Sequence, residues 1–237
     1  MKGSFRVLGA GVWGLAFSNH LITLGHDVTI YRRKLTLKKN EKTELSLCGN
    51  FEDKILPLSE LSLDNGADAI NIIASNSQGF ADMINKNKQY FSNLQRIVWL
   101  TKGLEHTTGS LFSEYLTDKF GNLELAIISG PSFAEDLCQN KLMEVSLAHN
   151  STDLEKILME MICSDYFKAK SIDNIRAIEV AGVIKNIAAI LCGMAYANNK
   201  ELQIENIIDK ACKEVKYTAD LNGNEADVII NSPGCIG

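Results

Sequence analysis

A glycine-rich run near the N-terminus constrains the fold more than any other feature of this chain. The run Gly9-Ala10-Gly11-Val12-Trp13-Gly14 follows a short apolar stretch, Phe5 to Leu8, and opens an apolar segment with helical spacing, Trp13 to Leu24. Such a run predicts a strand, a tight turn and a helix, with glycines where the backbone must turn sharply or approach a ligand. The free N–H groups that begin the helix attract phosphate. The pattern therefore predicts a dinucleotide site at residues 9–14, a plain glycine-rich turn being the alternative.

The next predicted strand, Val28 to Tyr31, is followed by cations, Arg32-Arg33-Lys34. Chains that bind NAD usually place Asp or Glu here, where the carboxylate accepts from the ribose 2′-hydroxyl. Guanidinium groups instead pair with a 2′-phosphate. We therefore expect NADP (NADPH) as the preferred cofactor and NAD as the alternative, with Arg32 and Arg33 as binding residues. Solvated surface cations at a strand end are the other interpretation.

Composition excludes several classes of protein. The net charge is −5 and there is no long basic stretch, so a nucleic-acid partner has no electrostatic support. The six cysteines are scattered, without CxxC or Cys/His spacing, which predicts no metal site and reduced, mostly buried thiols. Residues 1–5 lack the pattern of a signal peptide, and we expect a cytoplasmic protein.

One apolar segment, Val180 to Ala197, is long enough to be weighed as a membrane span. Lys185 and Asn186 lie near its middle, and a lone ammonium in a bilayer is costly. We therefore predict no membrane span here, but a helix buried in protein on most of its sides.

Apolar strands alternate with helical stretches through the first two thirds of the chain. This alternation predicts an α/β fold, a Rossmann-type, doubly wound and mostly parallel sheet. From about Asp173 the strand pattern stops and helical spacing continues to the end. We therefore expect a dinucleotide-binding domain at residues 1–172 and the beginning of an all-helical domain, which binds substrate or forms a dimer, at residues 173–237.

Three further motifs carry candidate chemistry. Lys102 follows a predicted strand and can reach a phosphate or polarise a carbonyl, although an exposed loop lysine is the ordinary alternative. In the run Ser129–Glu135, Gly130-Pro131 predicts a turn and Ser132 an N-cap or an anion ligand. Lys185 lies in the apolar helix, where burial lowers the pKa of an amine and suits it to proton transfer, unless its charge reaches the surface.

Together these motifs resemble those of bacterial NAD(P)-dependent glycerol-3-phosphate dehydrogenase. The resemblance rests on the glycine run, Thr101-Lys102-Gly103, Ser129–Ala134 and Val183–Asn186, in that order over about 180 residues. It implies reduction of dihydroxyacetone phosphate to sn-glycerol 3-phosphate, a phosphorylated small-molecule substrate and a role in phospholipid synthesis. It also implies a role for each candidate residue. The cofactor contacts are Val12, Trp13, Arg32, Arg33, Lys102 and Ala134; the substrate contacts are Lys102, Gly130, Ser132 and Lys185; and Lys185 is also the catalytic proton donor.

The chain departs from that family's pattern in its last third. Lys200 to Ile204 stands where the family has Asn and Arg, and Pro233 to Gly237 resembles the start of its Gly-Leu-Gly-Asp element. The aspartate and the following Ser-Arg-Asn element have no counterpart here, so we expect either a truncated or a naturally reduced chain, with a homodimer covering the apolar helix. Two other functions stay open: a dinucleotide-binding relative without catalysis, and a reductase of larger 2-keto acids.

Overall fold

An eight-stranded sheet organises the described part of the computed structural model, which comprises residues 2–33, 52–62 and 69–236. Its strands are β1 Ser4–Leu8, β2 Asp27–Arg32, β3 Ile55–Pro57, β4 Ile70–Ile73, β5 Arg96–Trp99, β6 Glu124–Ser129, β7 Met143–His149 and β8 Phe167–Ile172. The strand order is β3-β2-β1-β4-β5-β6-β7-β8. Every neighbouring pair is parallel except β6 and β7, which run antiparallel.

Helices connect the strands and then take over the chain after β8. They are α1 Val12–Thr23, α2 Ser77–Lys86, α3 Lys88–Phe91, α4 Phe112–Phe120, α5 Ala134–Cys138, α6 Thr152–Ile162, α7 Ile175–Ala197, α8 Ile204–Thr218, α9 Gly223–Ile230 and α10 Pro233–Ile236. The order of β1 to β6 is that of a doubly wound dinucleotide-binding sheet. The expected fold class is confirmed: a Rossmann-type sheet followed by part of a helical domain.

Helices cover both faces of the sheet, which explains why its central strands are apolar without alternation. On one face α1 and α6 bury side chains such as Phe17 and Leu158. On the other, α2, α4 and α7 bury Phe80, Phe112 and Ile178. All four residues of β4 are buried because the strand lies between these two layers.

The long helix α7 is held at its start and exposed at its end. Asn174 accepts a hydrogen bond from the Ala177 N–H at 2.9 Å, and Ile178 and Ala181 are completely buried. In the second half Ile187, Ile190 and Met194 are 56%, 65% and 58% exposed. By length and composition α7 could cross a membrane, and 33% of its most apolar window is buried. The expectation of burial on most sides is wrong for the second half, where α8 packs against the helix but these large apolar side chains stay exposed.

The cysteines also depart in part from expectation. Cys163, Cys192, Cys212 and Cys235 are free thiols, each half-buried rather than fully buried. Cys138, at the end of α5, is disulfide-bonded, so the prediction of reduced cysteines is wrong at that position. Wide spacing along the chain does not exclude a disulfide, because the fold brings distant segments together. Cys48 lies outside the described residues.

Candidate dinucleotide and proton-transfer site

The glycine loop between β1 and α1 has the shape that the sequence predicts. Gly9 has φ of +125°, and its N–H donates to the Tyr31 carbonyl oxygen at 3.0 Å. A Cβ on Gly9 would lie 2.4 Å from the Ala74 carbonyl oxygen, and one on Gly14 would lie 2.2 Å from the Gly9 carbonyl oxygen. These contacts leave no room for a side chain, so the loop stays tight between β2 and β4.

The start of α1 is open toward the carboxyl edge of the sheet. Gly11 is the N-cap, and among the described residues nothing lies within 4 Å of where its Cβ would be. The first turn has no acidic residue, and Val12 is exposed while Trp13 is half-buried. The backbone N–H groups of this turn can therefore meet a phosphate at the positive end of the helix dipole.

Arg32 and Arg33 stand at the carboxyl end of β2, beside this loop. Tyr31 and Leu8 are register partners in the two strands, so Arg32, the last residue of β2, lies level with Gly9, which follows β1. Arg32 is half-buried and Arg33 is exposed. This placement suits guanidinium groups that meet the adenosine ribose end of a dinucleotide. Lys34 lies outside the described residues.

The loop after β5 carries Lys102 into the same region. The Thr101 hydroxyl donates to the Ser75 carbonyl oxygen at 2.8 Å, which ties this loop to the one after β4. The Lys102 ammonium donates to the Gly130 carbonyl oxygen at 2.9 Å, which ties it to the loop after β6. Burial lowers the pKa of Lys102, and the nearby Lys185 lowers it further. The loops after β4, β5 and β6 thus converge on one lysine.

Lys185 approaches from the other side, at the middle of α7. Its Nζ is buried and donates to no hydrogen-bond acceptor among the described residues. Burial lowers the pKa of this amine, while the Cys235 thiol raises it slightly. The amine lines a cavity of about 240 Å³ between α7 and α8, which Ile184, Cys212 and Cys235 also line. An ammonium that is poorly stabilised by its surroundings readily gives up a proton.

The remaining predicted site residues follow β6. Ser132 is half-buried, and its hydroxyl donates to the Gly130 carbonyl oxygen at 3.4 Å. The prediction that Ser132 caps a helix is wrong. Helix α5 begins at Ala134, and its N-cap is Phe133, which makes no side-chain hydrogen bond to the helix. The helix starts one residue late, so the hydroxyl points back to the turn. Ala134 is half-buried and packs on the same cluster as Trp13.

The structure therefore brings most of the predicted residues to the carboxyl edge of the sheet. Gly9, Gly14, Lys102 and Gly130 are joined by contacts between neighbouring loops. Lys185 is coupled to Lys102 electrostatically although it comes from a separate helix. Among residues 2–33, 52–62 and 69–236, no group of His, Cys, Asp and Glu side chains is arranged to hold a metal ion.

Residues 4–155 match the family model described as NAD-dependent glycerol-3-phosphate dehydrogenase N-terminus. The chain belongs to this family. It is 30% identical over 201 residues to a glycerol-3-phosphate dehydrogenase [NAD(P)+] of Legionella pneumophila, which covers 82% of this chain and 60% of that protein. A protein of the same name from Pseudoalteromonas translucida is 29% identical over 196 residues, covering 80% of this chain and 58% of the relative. The family member described here thus spans about 60% of the length of these relatives.

Solved structures support the fold of this family member. The glycerol-3-phosphate dehydrogenase of Coxiella burnetii superposes with a TM-score of 0.79 at 22% identity, covering 100% of this chain and 74% of that one. The enzyme of Plasmodium falciparum gives a TM-score of 0.77 at 20% identity, with 98% and 71% covered. At these identities the likeness shows the fold alone.

The sequence analysis missed Glu179, a buried carboxyl that lines a narrow cavity with Lys102 and Ser129. The signal was present, because Glu179 is the one acid in the apolar segment Ile175–Ala197 of this family member. It also missed Cys235, which the docking of α10 on β7 brings beside Lys185: the Gly234 N–H donates to the Ser146 hydroxyl at 2.9 Å. No local pattern at Cys235 reveals that contact.

Proposed function

We propose that this chain acts as the dinucleotide-binding and proton-transfer part of an NAD(P)-dependent glycerol-3-phosphate dehydrogenase. The reaction is reduction of dihydroxyacetone phosphate to sn-glycerol 3-phosphate, which serves phospholipid synthesis. The observation that carries the proposal is the convergence of Lys102 and Lys185, from separate elements, next to the glycine loop. The names of the relatives, glycerol-3-phosphate dehydrogenase [NAD(P)+], support the same reaction.

The open N-terminus of α1 fits the pyrophosphate of a dinucleotide. Gly11 leaves space for the phosphate oxygens, and the backbone N–H groups at Val12 and Trp13 are placed to donate to them. Arg32 and Arg33 would meet a 2′-phosphate, which supports NADP (NADPH) as the preferred cofactor and NAD as the alternative. Ala134, beside α1, would contact the cofactor from the β6 side.

The two lysines have separate roles in the reduction. A reduced nicotinamide cofactor held by residues 9–14 would supply the hydride for the carbonyl carbon of the substrate. Lys185 donates a proton to the carbonyl oxygen, because its buried ammonium has a lowered pKa and loses the proton easily. Lys102, which the Gly130 carbonyl oxygen holds in place, would stabilise the negative charge that develops on that oxygen. Gly130 and Ser132, on the loop that Lys102 already contacts, would bind the substrate.

The direct test is oxidation of NADPH by dihydroxyacetone phosphate with this 237-residue chain, together with a fluorescence titration of NADPH. Replacing Lys185 by Ala should lower turnover about 10²- to 10⁴-fold and leave NADPH affinity unchanged. Lys168, an exposed residue of β8, provides the control, since Lys168→Ala should change neither quantity. Full turnover in the Lys185→Ala variant would contradict the proposed role.

The cofactor preference has its own test. Arg32→Ala should weaken NADPH binding about tenfold or more, the usual worth of a charge-assisted hydrogen bond, and should leave NADH binding nearly unchanged. Equal losses for the two cofactors would mean that Arg32 supports the fold and does not read the 2′-phosphate.

The second candidate function is dinucleotide binding without catalysis. It is favoured by residues 200–204, where the family pattern has Asn and Arg: they lie at the surface, Leu202 is 99% exposed, and none of them lines the cavity at Lys185. Tight NADPH binding by the wild-type chain with no turnover of dihydroxyacetone phosphate or a larger 2-keto acid would support this function.

We also propose a cytoplasmic homodimer that buries the exposed face of α7. Ile187, Ile190, Leu191 and Met194 form an apolar surface of the kind that interfaces cover. Light scattering at micromolar concentration should give twice the chain mass, and Ile190→Asp should reduce it to the mass of a monomer. A monomeric wild-type chain would contradict this assembly.

A further inference from the structure

Glu179 makes a buried link between two helices that the proposed reaction leaves unused. It lies on α7 and is 3% exposed. One oxygen of its carboxylate accepts from the Ser113 N–H at 3.2 Å, and the other accepts from the Ser113 hydroxyl. Ser113 is the second residue of α4, where N–H groups have no partner within their own helix. The N-cap of α4 is Leu111, whose side chain has no polar atom. Glu179, which lies on α7, therefore caps the start of α4 in its place.

The position of this link relates it to the lysines. Glu179 lines a narrow cavity with Lys102, Ser129 and Gly182, at the carboxyl ends of β5 and β6. Lys185 follows six residues later on the same helix, about 9 Å further along its axis. Because α7 is one continuous helix, a shift of α7 at Glu179 would move the Lys185 amine relative to Lys102 by about the same distance as Glu179 itself moves.

A buried carboxylate that makes no ion pair is an expensive way to join two helices, since an apolar contact would join them at lower cost. Among the described residues the structure gives Glu179 hydrogen bonds only to α4, while the Lys102 ammonium bonds to Gly130. The charge is therefore directed at the positive end of the α4 dipole, where it is best stabilised.

We propose that Glu179 is a positioning residue for Lys185: its carboxylate fastens α7 to the N-terminus of α4 and so places the Lys185 amine beside Lys102. The proposal rests on the proposed function for its effect on turnover, but the placement of the amine is measurable without turnover. Burial raises the pKa of Glu179 to about 7, against the hydrogen bonds from Ser113 that lower it, so the charge of this link changes near neutral pH.

The charged and polar groups around Glu179 come from three elements besides α7. Ser113 and Glu114 face it from α4, and Glu114 raises its pKa slightly. Lys102 and Ser129 face it from the loop after β5 and from β6. On α7 itself, Arg176 pairs with Glu114 at the surface. This surface pair joins the same two helices as Glu179 does and therefore provides a matched control.

The experiment measures the reactivity of the Lys185 amine in the whole 237-residue chain, by competitive labelling with a small acylating reagent across pH and mass spectrometry of the labelled peptide. In Glu179→Leu, which removes both acceptors of the Ser113 hydrogen bonds at similar side-chain size, the apparent pKa of Lys185 should rise toward that of an exposed lysine, and its labelling rate should change several-fold, with NADPH affinity unchanged. Arg176→Gln, which breaks the surface pair from the α7 side and leaves Glu114 in place, should leave the labelling of Lys185 as in the wild type.

A smaller substitution tests the same link in case the Glu179 variant does not fold. Ser113→Ala removes one donor to Glu179 and keeps the carboxylate, and it should shift Lys185 labelling in the same direction by a smaller amount. Glu179→Asp, which keeps the charge on a shorter side chain, should restore part of the wild-type value. Where the chain turns over substrate, Glu179→Leu should lower kcat about ten- to a hundredfold and change KM little.

Each result decides one question. Unchanged labelling of Lys185 in a folded Glu179→Leu chain, with a normal circular dichroism spectrum, overturns the positioning role. Absence of turnover in the wild type, with labelling that still depends on Glu179, overturns the proposed function and leaves the positioning role standing.

Discussion

The two halves of α7 have similar composition and opposite surroundings. In residues 175–184 the helix packs under the sheet and against α4, and Ile178 and Ala181 are fully buried. In residues 186–197 equally large apolar side chains, among them Ile187 and Ile190, are mostly exposed. Lys185 stands between the halves, so its amine is buried at the point where packing ends. A single hydropathy value describes both halves, and tertiary contact alone distinguishes them.

The largest expected difference between the halves is in stability. Ile178→Ala should lower the free energy of unfolding by about 2–5 kcal/mol, because it opens a cavity in a closely packed core. Ile190→Ala should change it by less than about 0.5 kcal/mol in chains dilute enough to be monomeric, as is usual at exposed sites. Urea unfolding of both variants measures the comparison. Similar losses at the two sites would show that the second half is buried in solution, as the proposed dimer requires.

A smaller effect is expected from pH, and it belongs to the buried half. The folded-state pKa of Glu179, about 7, lies above the ordinary value of 4.5, so the folded chain binds this proton more tightly than the unfolded chain. The stabilisation from this group is complete below about pH 4.5 and is lost as the pH rises to about 7, by at most ~1.4 kcal/mol per pH unit. Unfolding in urea at several pH values should show this decrease, and Glu179→Gln should remove it.

Glu105, in the loop after β5, should behave in the opposite way. Burial works to raise its pKa, but hydrogen bonds from Thr107 and Thr108 outweigh burial and lower the pKa to about 2. Its stabilisation is present above about pH 4.5 and is lost as the pH falls to about 2. Glu105→Gln should therefore lower the free energy of unfolding near neutral pH. It should also make the free energies of unfolding at neutral and acidic pH more alike. If Glu105→Gln lowers the free energy of unfolding equally at all pH values, the charge of Glu105 is not the source of the stabilisation.

The smallest expected effects concern the two glycines within α7. A Cβ on Gly182 would lie 3.8 Å from the Lys102 Cγ, an ordinary contact, and one on Gly193 would meet nothing within 4 Å among the described residues. Alanine should therefore stabilise at both positions, by about 0.5–1 kcal/mol, because glycine costs more conformational entropy in a helix. Thermal unfolding measures the Gly182→Ala gain. A gain at Gly193→Ala that appears only as slower local hydrogen exchange would show that the second half opens independently.

Much of the Rossmann fold was predictable from local sequence. The glycine run, the apolar strands and the helix spacing each report on contacts within one strand–helix unit, and their predicted order is confirmed. Ser132 was misjudged because its capping role depends on where α5 begins, a matter of one residue. The antiparallel direction of β7 was not predictable, since it depends on which distant segments meet.

The residues of the candidate site also fall into a group that local sequence predicts and a group that it does not. Residues 9–14, Lys102 and Gly130 follow strands, and parallel strands place their carboxyl ends at one edge, so their meeting could be expected from the sequence. Glu179 and Cys235 reach the site through the docking of α7 on α4 and of α10 on β7, contacts between surfaces with no local signature.

By itself, the sequence determined the strands, the tight glycine turn, the cationic end of β2 and the presence of a lysine in an apolar helix, because backbone geometry and side-chain chemistry act over a few residues. Only the tertiary structure decided which half of α7 is buried, which carboxyl caps α4 and why the Lys185 amine lacks a partner among the described residues. Those outcomes depend on the packing of elements far apart in the chain, whose free energy is shared among many side chains.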